Sequence, residues 1–267
     1  MWSTSGLFGK ATIFEDWPVE QRGVLLAFWR AAFAAAVLAP TVRRPRFRRS
    51  LVPLVVCFAG MNVTYLTAMV QTTAANAIWL QNTAPWWVFG FSVLLLGEPI
   101  VRRDLVPLGF GVFGVGTILF FEVQGEAVGG VACGLAAGAS YAGVILLMRR
   151  LRDENPGWIV ALSHAITALV VLPWIVRIDI WPSPAQLGVL ALFGVVQMAI
   201  PYVLLFRGLR TITGVEATAI GLVEPVLMPI WVLLIWGEQA APWTLVGAAL
   251  ILAGLLLRYV VLELVQR

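Results

Sequence analysis

The sequence predicts an all-α integral membrane protein with nine full transmembrane helices plus a partial first helix, arranged as two five-helix repeats of inverted topology. Three observations carry this. Hydrophobic residues make up 60% of the 267-residue chain and charged residues only 12%, at a mean hydropathy of +0.91. Soluble domains hold about 45–50% apolar and about 25% charged residues, and a 29.1 kDa globule has too little interior to hide the excess. The apolar residues fall in discrete segments bounded by charge, Pro or Gly, and the two halves of the chain can be laid over one another.

The first element is the weakest. Met1–Ile13 (MWSTSGLFGKATI) is mildly apolar but too short to span, and it lacks the basic n-region and cleavage site of a signal peptide. It matches the second half of a helix whose first half is missing. Nine segments of ~17–23 residues follow, each suited to a helix crossing ~30 Å of hydrocarbon. They are Val24–Pro40, Leu51–Met69, Ala75–Leu96, Leu105–Phe121, Val128–Met148, Trp158–Val176, Leu187–Phe206, Val215–Trp236 and Pro242–Leu262. None shows the strict alternation of a membrane barrel. The short connections predict antiparallel neighbours and leave no room for a soluble domain.

Charge placement orients the bundle. Of the 18 basic residues, 17 are Arg and one is Lys10. Fourteen fall on one side: Arg43, Arg44, Arg46, Arg48 and Arg49; Arg102 and Arg103; Arg149, Arg150 and Arg152; Arg207 and Arg210; Arg258 and Arg267. Lys10, Arg22 and Arg177 mark the other side, where Glu15, Asp16, Glu20, Glu122, Glu126 and Glu238 collect, and Arg30 lies inside a segment. Short basic loops alternating with acidic ones predict a multi-pass protein of the cell (inner) membrane with a cytoplasmic C-terminus. The same distribution argues against nucleic acid as a partner, because no basic face is assembled. The expected surroundings are the lipid bilayer and a small-molecule solute; a homodimer is one assembly this surface admits. Cys57 and Cys133 lie in apolar segments without metal spacing, so neither a metal nor a cofactor is expected.

Self-comparison divides the chain into residues 1–122 and 125–265. A shift of 140 lays Pro85 on Pro225, Gly97-Glu98 on Gly237-Glu238, Leu105 on Leu245 and Gly114 on Gly254. A shift of 133 lays Ala39-Pro40 on Leu172-Pro173, and a shift of 139 lays Trp2 and Lys10 on Tyr141 and Arg149. Each unit holds five helices; five is odd, so the units have opposite orientations. Inverted repeats around a midplane site are typical of secondary transporters.

With these residues in view the chain resembles the EamA-type members of the drug/metabolite transporter superfamily. The resemblance rests on WSTSGLFGK at the start, Trp29-Arg30 on the second helix, and APWWVFGFSVLLLGEP. In the second half it rests on Val223-Glu224-Pro225-Val226 and WVLLIWGE ending at Glu238. It implies ten helices in two repeats and efflux of a small organic metabolite or amphipathic compound. The truncated helix 1 departs from that pattern and keeps a second expectation open, a non-transporting or degraded membrane paralogue or scaffold.

The candidate site follows from polar chemistry at membrane depth. Pro85 and Pro225, in matching positions, are hinge candidates because proline frees backbone groups that are tolerated only beside a cavity or inside protein. Glu224 is expected near mid-bilayer, nine residues into its segment, as proton carrier or cation anchor, or as a neutral acid bonded to backbone freed by Pro225. Arg30 is expected to bind a substrate carboxylate, to pair with Glu224, or to snorkel to the interface. His164 is a second proton-coupling candidate beside the plain reading of a packing histidine. Asn62, Tyr65, Trp79, Asn82, Trp86, Tyr141 and Tyr202 supply an amide and aromatic wall, joined by Asn76, Gln81 and Gln197, and suited to organic solutes. Trp17, Trp158, Trp181 and Trp243 are expected as interfacial anchors, and Gly130, Gly134, Gly138 and Ala142 as a close-packing stripe. No HExxH, GxSxG or paired intramembrane Asp occurs in the sequence, so no enzyme is expected.

Overall fold

A computed structural model describes residues 1–42, 45–97, 105–122, 127–151, 153–202, 204 and 221–258, and these residues contain helices and connections but no strand. The helices are α1 (Ser5–Gly9), α2 (Val19–Leu38), α3 (Leu51–Gln71), α4 (Ala74–Gln81), α5 (Ala84–Leu96) and α6 (Leu105–Glu122). Then come α7 (Val128–Arg150), α8 (Pro156–Ile178), α9 (Pro184–Leu192), α10 (Val223–Trp236) and α11 (Pro242–Leu256). Beyond α9 the chain runs on through a wider π-helical stretch, Phe193–Ala199.

Among the described residues six helices are long and apolar enough to cross a membrane: Val19–Thr41, Leu51–Gln71, Leu105–Glu122, Val128–Met148, Pro156–Ile178 and Pro184–Tyr202. α10 and α11 are shorter apolar helices. The outer surface of the bundle is apolar too, with Leu94 of α5, Phe113 of α6 and Leu234 of α10 at 81%, 73% and 70% exposure. Such faces are stable only against lipid. The protein is therefore a multi-pass, all-helical membrane protein.

The structure is more broken than the nine expected spans. Ala75–Leu96 is two helices, α4 and α5, separated at Asn82 and Thr83. Local chemistry makes the break. Pro85 lacks an N–H and disfavours helix at the residue before it. Thr83 Oγ1 turns back to donate to Leu80 O at 2.6 Å, and Asn82 Nδ2 donates to Ile78 O at 2.9 Å. The corresponding segment of the second half is described from Gly221 onward; Val215 to Ile220, where its span was expected to start, lies outside the described residues.

Repeat-equivalent helices pack together: α2 lies on α8, and α6 lies on α11. At the α6–α11 seam a methyl group at Gly114 would come within 2.7 Å of Gly247 O, and one at Gly247 within 2.7 Å of Gly114 O. Only hydrogen fits on either side. The glycine stripe of α7 receives α4 in the same way, with Gly134 under Leu80 and Gly138 under Leu80 O and Thr83. Since lipid tails are as apolar as Leu, helices associate in a membrane through such close approach. The halves also end their broken helices alike: Gly97 and Gly237, one repeat apart, are left-handed C-caps with φ of 67° and 69°.

Loop ends meet in two groups. Lys10 Nζ is 2.7 Å from Glu238 Oε2 and donates to Thr72 O at 2.6 Å, while Glu238 Oε1 accepts from Ala74 N, the first residue of α4, at 2.7 Å. Nearby Glu122 accepts from Asn76 Nδ2 at 2.9 Å and Trp243 Nε1 at 3.1 Å. Asp16 accepts from Gln186, whose helix α9 opens with a Ser183 capping box. The other group joins Arg48 to Glu154 and Trp158 Nε1 to Arg46 O. These are the groupings that strict alternation of the spans requires.

Candidate substrate site at the centre of the bundle

The polar centre is assembled from four elements. α2 brings Arg30, α3 brings Asn62 and Tyr65, α8 brings His164, and the π-helical stretch after α9 brings Gln197. Arg30 is the largest fully buried side chain, with 1% exposure, which removes the snorkelling alternative. Its Nη1 donates to Gln197 Oε1 at 3.1 Å and its Nη2 to Asn62 Oδ1. Asn62 is held by its own Nδ2 donating to Phe58 O at 2.9 Å. The Phe193 ring covers one face of the guanidinium, 5.0 Å away. Arg30 Nε has no partner among the described residues, and no ion pair joins Arg30 to Glu224.

Glu224 stands in the first turn of α10 rather than deep inside a described helix, with Pro225 next to it. The N-terminal end of a helix carries positive partial charge, which favours a carboxylate there. Twelve residues of 1.5 Å rise separate it from Trp236, so it remains ~18 Å from that end and near mid-bilayer. It shares one electrostatic neighbourhood with Arg30, Tyr65, Tyr141 and Tyr202. Tyr141, on α7, is 38% exposed.

The remaining expected residues separate into site and scaffold. Tyr65 OH lies 2.9 Å from Ser5 Oγ and 3.4 Å from Met228 Sδ, so it ties α1 to α10 at the edge of the centre. Tyr202 meets Trp2 edge to face at 5.4 Å and faces His164 at 6.3 Å. His164 is fully buried, edge to face on Phe58 at 4.9 Å, and neither ring nitrogen has a hydrogen-bond partner among the described residues. Pro85 stands in the first turn of α5 and begins a half-helix after the break at Asn82 and Thr83, and Pro225 stands in the first turn of α10, where residues 205–220 lie outside the described ones.

The third expected wall is scaffold. Trp86 Nε1 donates to Pro107 O at 3.3 Å and its ring lies over Gly111 of α6. Trp79 is core, Asn82 bonds its own helix, and buried Asn76 takes Thr72, Glu122 and Thr244 as partners. The helical spacing of Trp79, Asn82 and Trp86 lost its meaning when the helix broke at Asn82. Trp17 is also not an anchor: it is 3% exposed and packs on Phe14.

Sequence reasoning gave too little weight to Gln197, and it missed Trp29 and Ser163. Trp29 Nε1 and Ser163 Oγ are buried without partners, like Arg30 Nε and both nitrogens of His164. A signal was available. The 133-residue shift lays Arg30 on Ser163 and Ala31 on His164, so the unspent polar groups stand at matching places on α2 and α8.

Paired repeat-equivalent helices, a half-helix that starts inside the bundle at Pro85, and charged groups at the centre are the features of a membrane transport protein. The sequence profile of the EamA-like transporter family matches residues 1–120 and again residues 128–260, and the chain belongs to that family. It is 28% identical over 240 residues to an uncharacterized transporter of Archaeoglobus fulgidus, covering 88% of this chain and 86% of that one. A 132-residue stretch is 30% identical to the uncharacterized transporter YwfM of Bacillus subtilis, covering 48% of this chain and 45% of that one. A solved crystal structure superposes with a TM-score of 0.67 at 18% identity, over 98% of this chain and 93% of that chain, and so shares the fold.

Proposed function

We propose that this membrane transporter is a secondary-active permease of the cell (inner) membrane, its C-terminus cytoplasmic. It moves a small organic metabolite or amphipathic compound outward by alternating access of two inverted repeats about the Arg30–Glu224 centre. The observation that carries this reading is fully buried Arg30 with neutral partners in the electrostatic neighbourhood of Glu224, together with a span broken at Asn82 and Thr83. Such interruptions mark the binding site in repeat-built transporters. Glu224 serves as the proton carrier, because a mid-membrane carboxylate is costly when charged and is released from that cost by protonation. His164 is the second group able to exchange a proton there.

Comparing metabolites secreted by deletion and overexpression strains identifies the solute. In vesicles, flux of that solute is expected to follow the proton gradient, and Glu224→Gln to flatten the pH dependence and lower flux at least several-fold. A Glu224→Gln protein with the wild-type pH profile would remove Glu224 as the carrier. No flux of any secreted compound would leave the scaffold reading.

A further inference from the structure

We propose that the centre is an organic-anion site in which Arg30 receives a substrate carboxylate; this names the solute class of the site under the transporter reading above.

The charge on Arg30 is not neutralised by what surrounds it. Its two bonded partners, Gln197 Oε1 and Asn62 Oδ1, are neutral amide oxygens. Glu224 lies within electrostatic range but beyond ion-pair distance. Elsewhere Lys10, largely out of water, is paired with Glu238, and half-exposed Arg48 with Glu154. An intramembrane Arg is costly, and a bound anion offsets that cost.

Geometry selects the kind of anion. The amide oxygens occupy one N–H of each terminal nitrogen, and Phe193 covers a face of the group. Nε keeps its N–H without a partner, and a carboxylate oxygen accepts from it in a charge-assisted bond. His164, which shares the electrostatic neighbourhood of Arg30, also keeps both ring nitrogens without a partner among the described residues.

The test uses the purified full chain and a panel of small monocarboxylates, among them acetate, phenylacetate and benzoate, each paired with its primary amide and its amine. Binding is read by thermal shift and with radiolabelled acid. At least one carboxylate is expected to be held tenfold or more tightly than its amide, with its amine not bound. Arg30→Gln is expected to lose that preference, and Arg30→Lys, which keeps the charge but not the fork, to retain it at several-fold lower affinity. If Arg30→Gln does not fold, Arg30→Lys decides. An amide or amine held as well as its acid, no acid preferred anywhere in the panel, or Arg30→Lys binding like wild type would overturn the proposal. Proteoliposome counterflow separates the two readings. A bound and transported amine sinks the anion class and leaves transport standing, whereas Arg30-dependent binding without counterflow keeps the anion site and sinks transport.

Discussion

Lys10 and Arg30 are both cations taken largely out of water, and the protein treats them in opposite ways. Lys10 lies at a loop end, 19% exposed, with a carboxylate at 2.7 Å and a carbonyl at 2.6 Å. Its partner Glu238 spends its second oxygen on the first N–H of α4. Arg30 lies at the centre with neutral partners and an unspent Nε. A buried polar group is ordinarily paired, because leaving it unpaired costs ~1–3 kcal/mol. Where the pairing is complete the groups hold helices together, and where it is incomplete an unspent donor stands at the proposed anion site.

The largest effect that would break this contrast comes from the satisfied end. Glu238→Ala removes the counter-ion of Lys10 and the acceptor for α4, and should lower stability by ~2–3 kcal/mol. Thermal unfolding in detergent would show a drop of several degrees, and an unchanged midpoint would mean that the latch holds nothing. Asn62→Ala should come next, at ~1–2 kcal/mol, since it strands one Arg30 nitrogen but leaves Gln197 in place. Here flux should fall more steeply than stability. Equal losses would make Asn62 scaffold like Asn76. The smallest change in stability, under ~1 kcal/mol, is expected for His164→Phe, which fills the same space and removes no hydrogen bond. Flux should still fall several-fold, and a variant with wild-type flux would return His164 to a packing role.

The lining residues show how far sequence reached. Arg30, Tyr141, Tyr202 and Glu224 were visible because polar chemistry in an apolar segment is costly and must be explained. Trp79, Asn82 and Trp86 looked equally good on a helical wheel, yet they serve the packing of α4 and α5 against α6 and α7. A wheel assumes a continuous helix. Pro85 announced the interruption but not its consequence, which is that residues on either side of Thr83 face different neighbours. Gln197 illustrates the converse: its role depends on the π-helical turn that carries it to Arg30.

By itself the sequence determined that the chain lives in lipid and that it is built twice. Those properties are sums and periods: apolar fraction, segment length, basic loops, and matches at fixed shifts. They survive without coordinates because hydrocarbon imposes the same length and polarity on every span. Only the tertiary structure decided which polar residues meet. Arg30, Asn62 and Gln197 are up to 167 residues apart, and nothing local marks them as partners. Whether a buried group is spent or left for a ligand depends on the last few ångströms of packing between helices, and hydropathy does not record those distances.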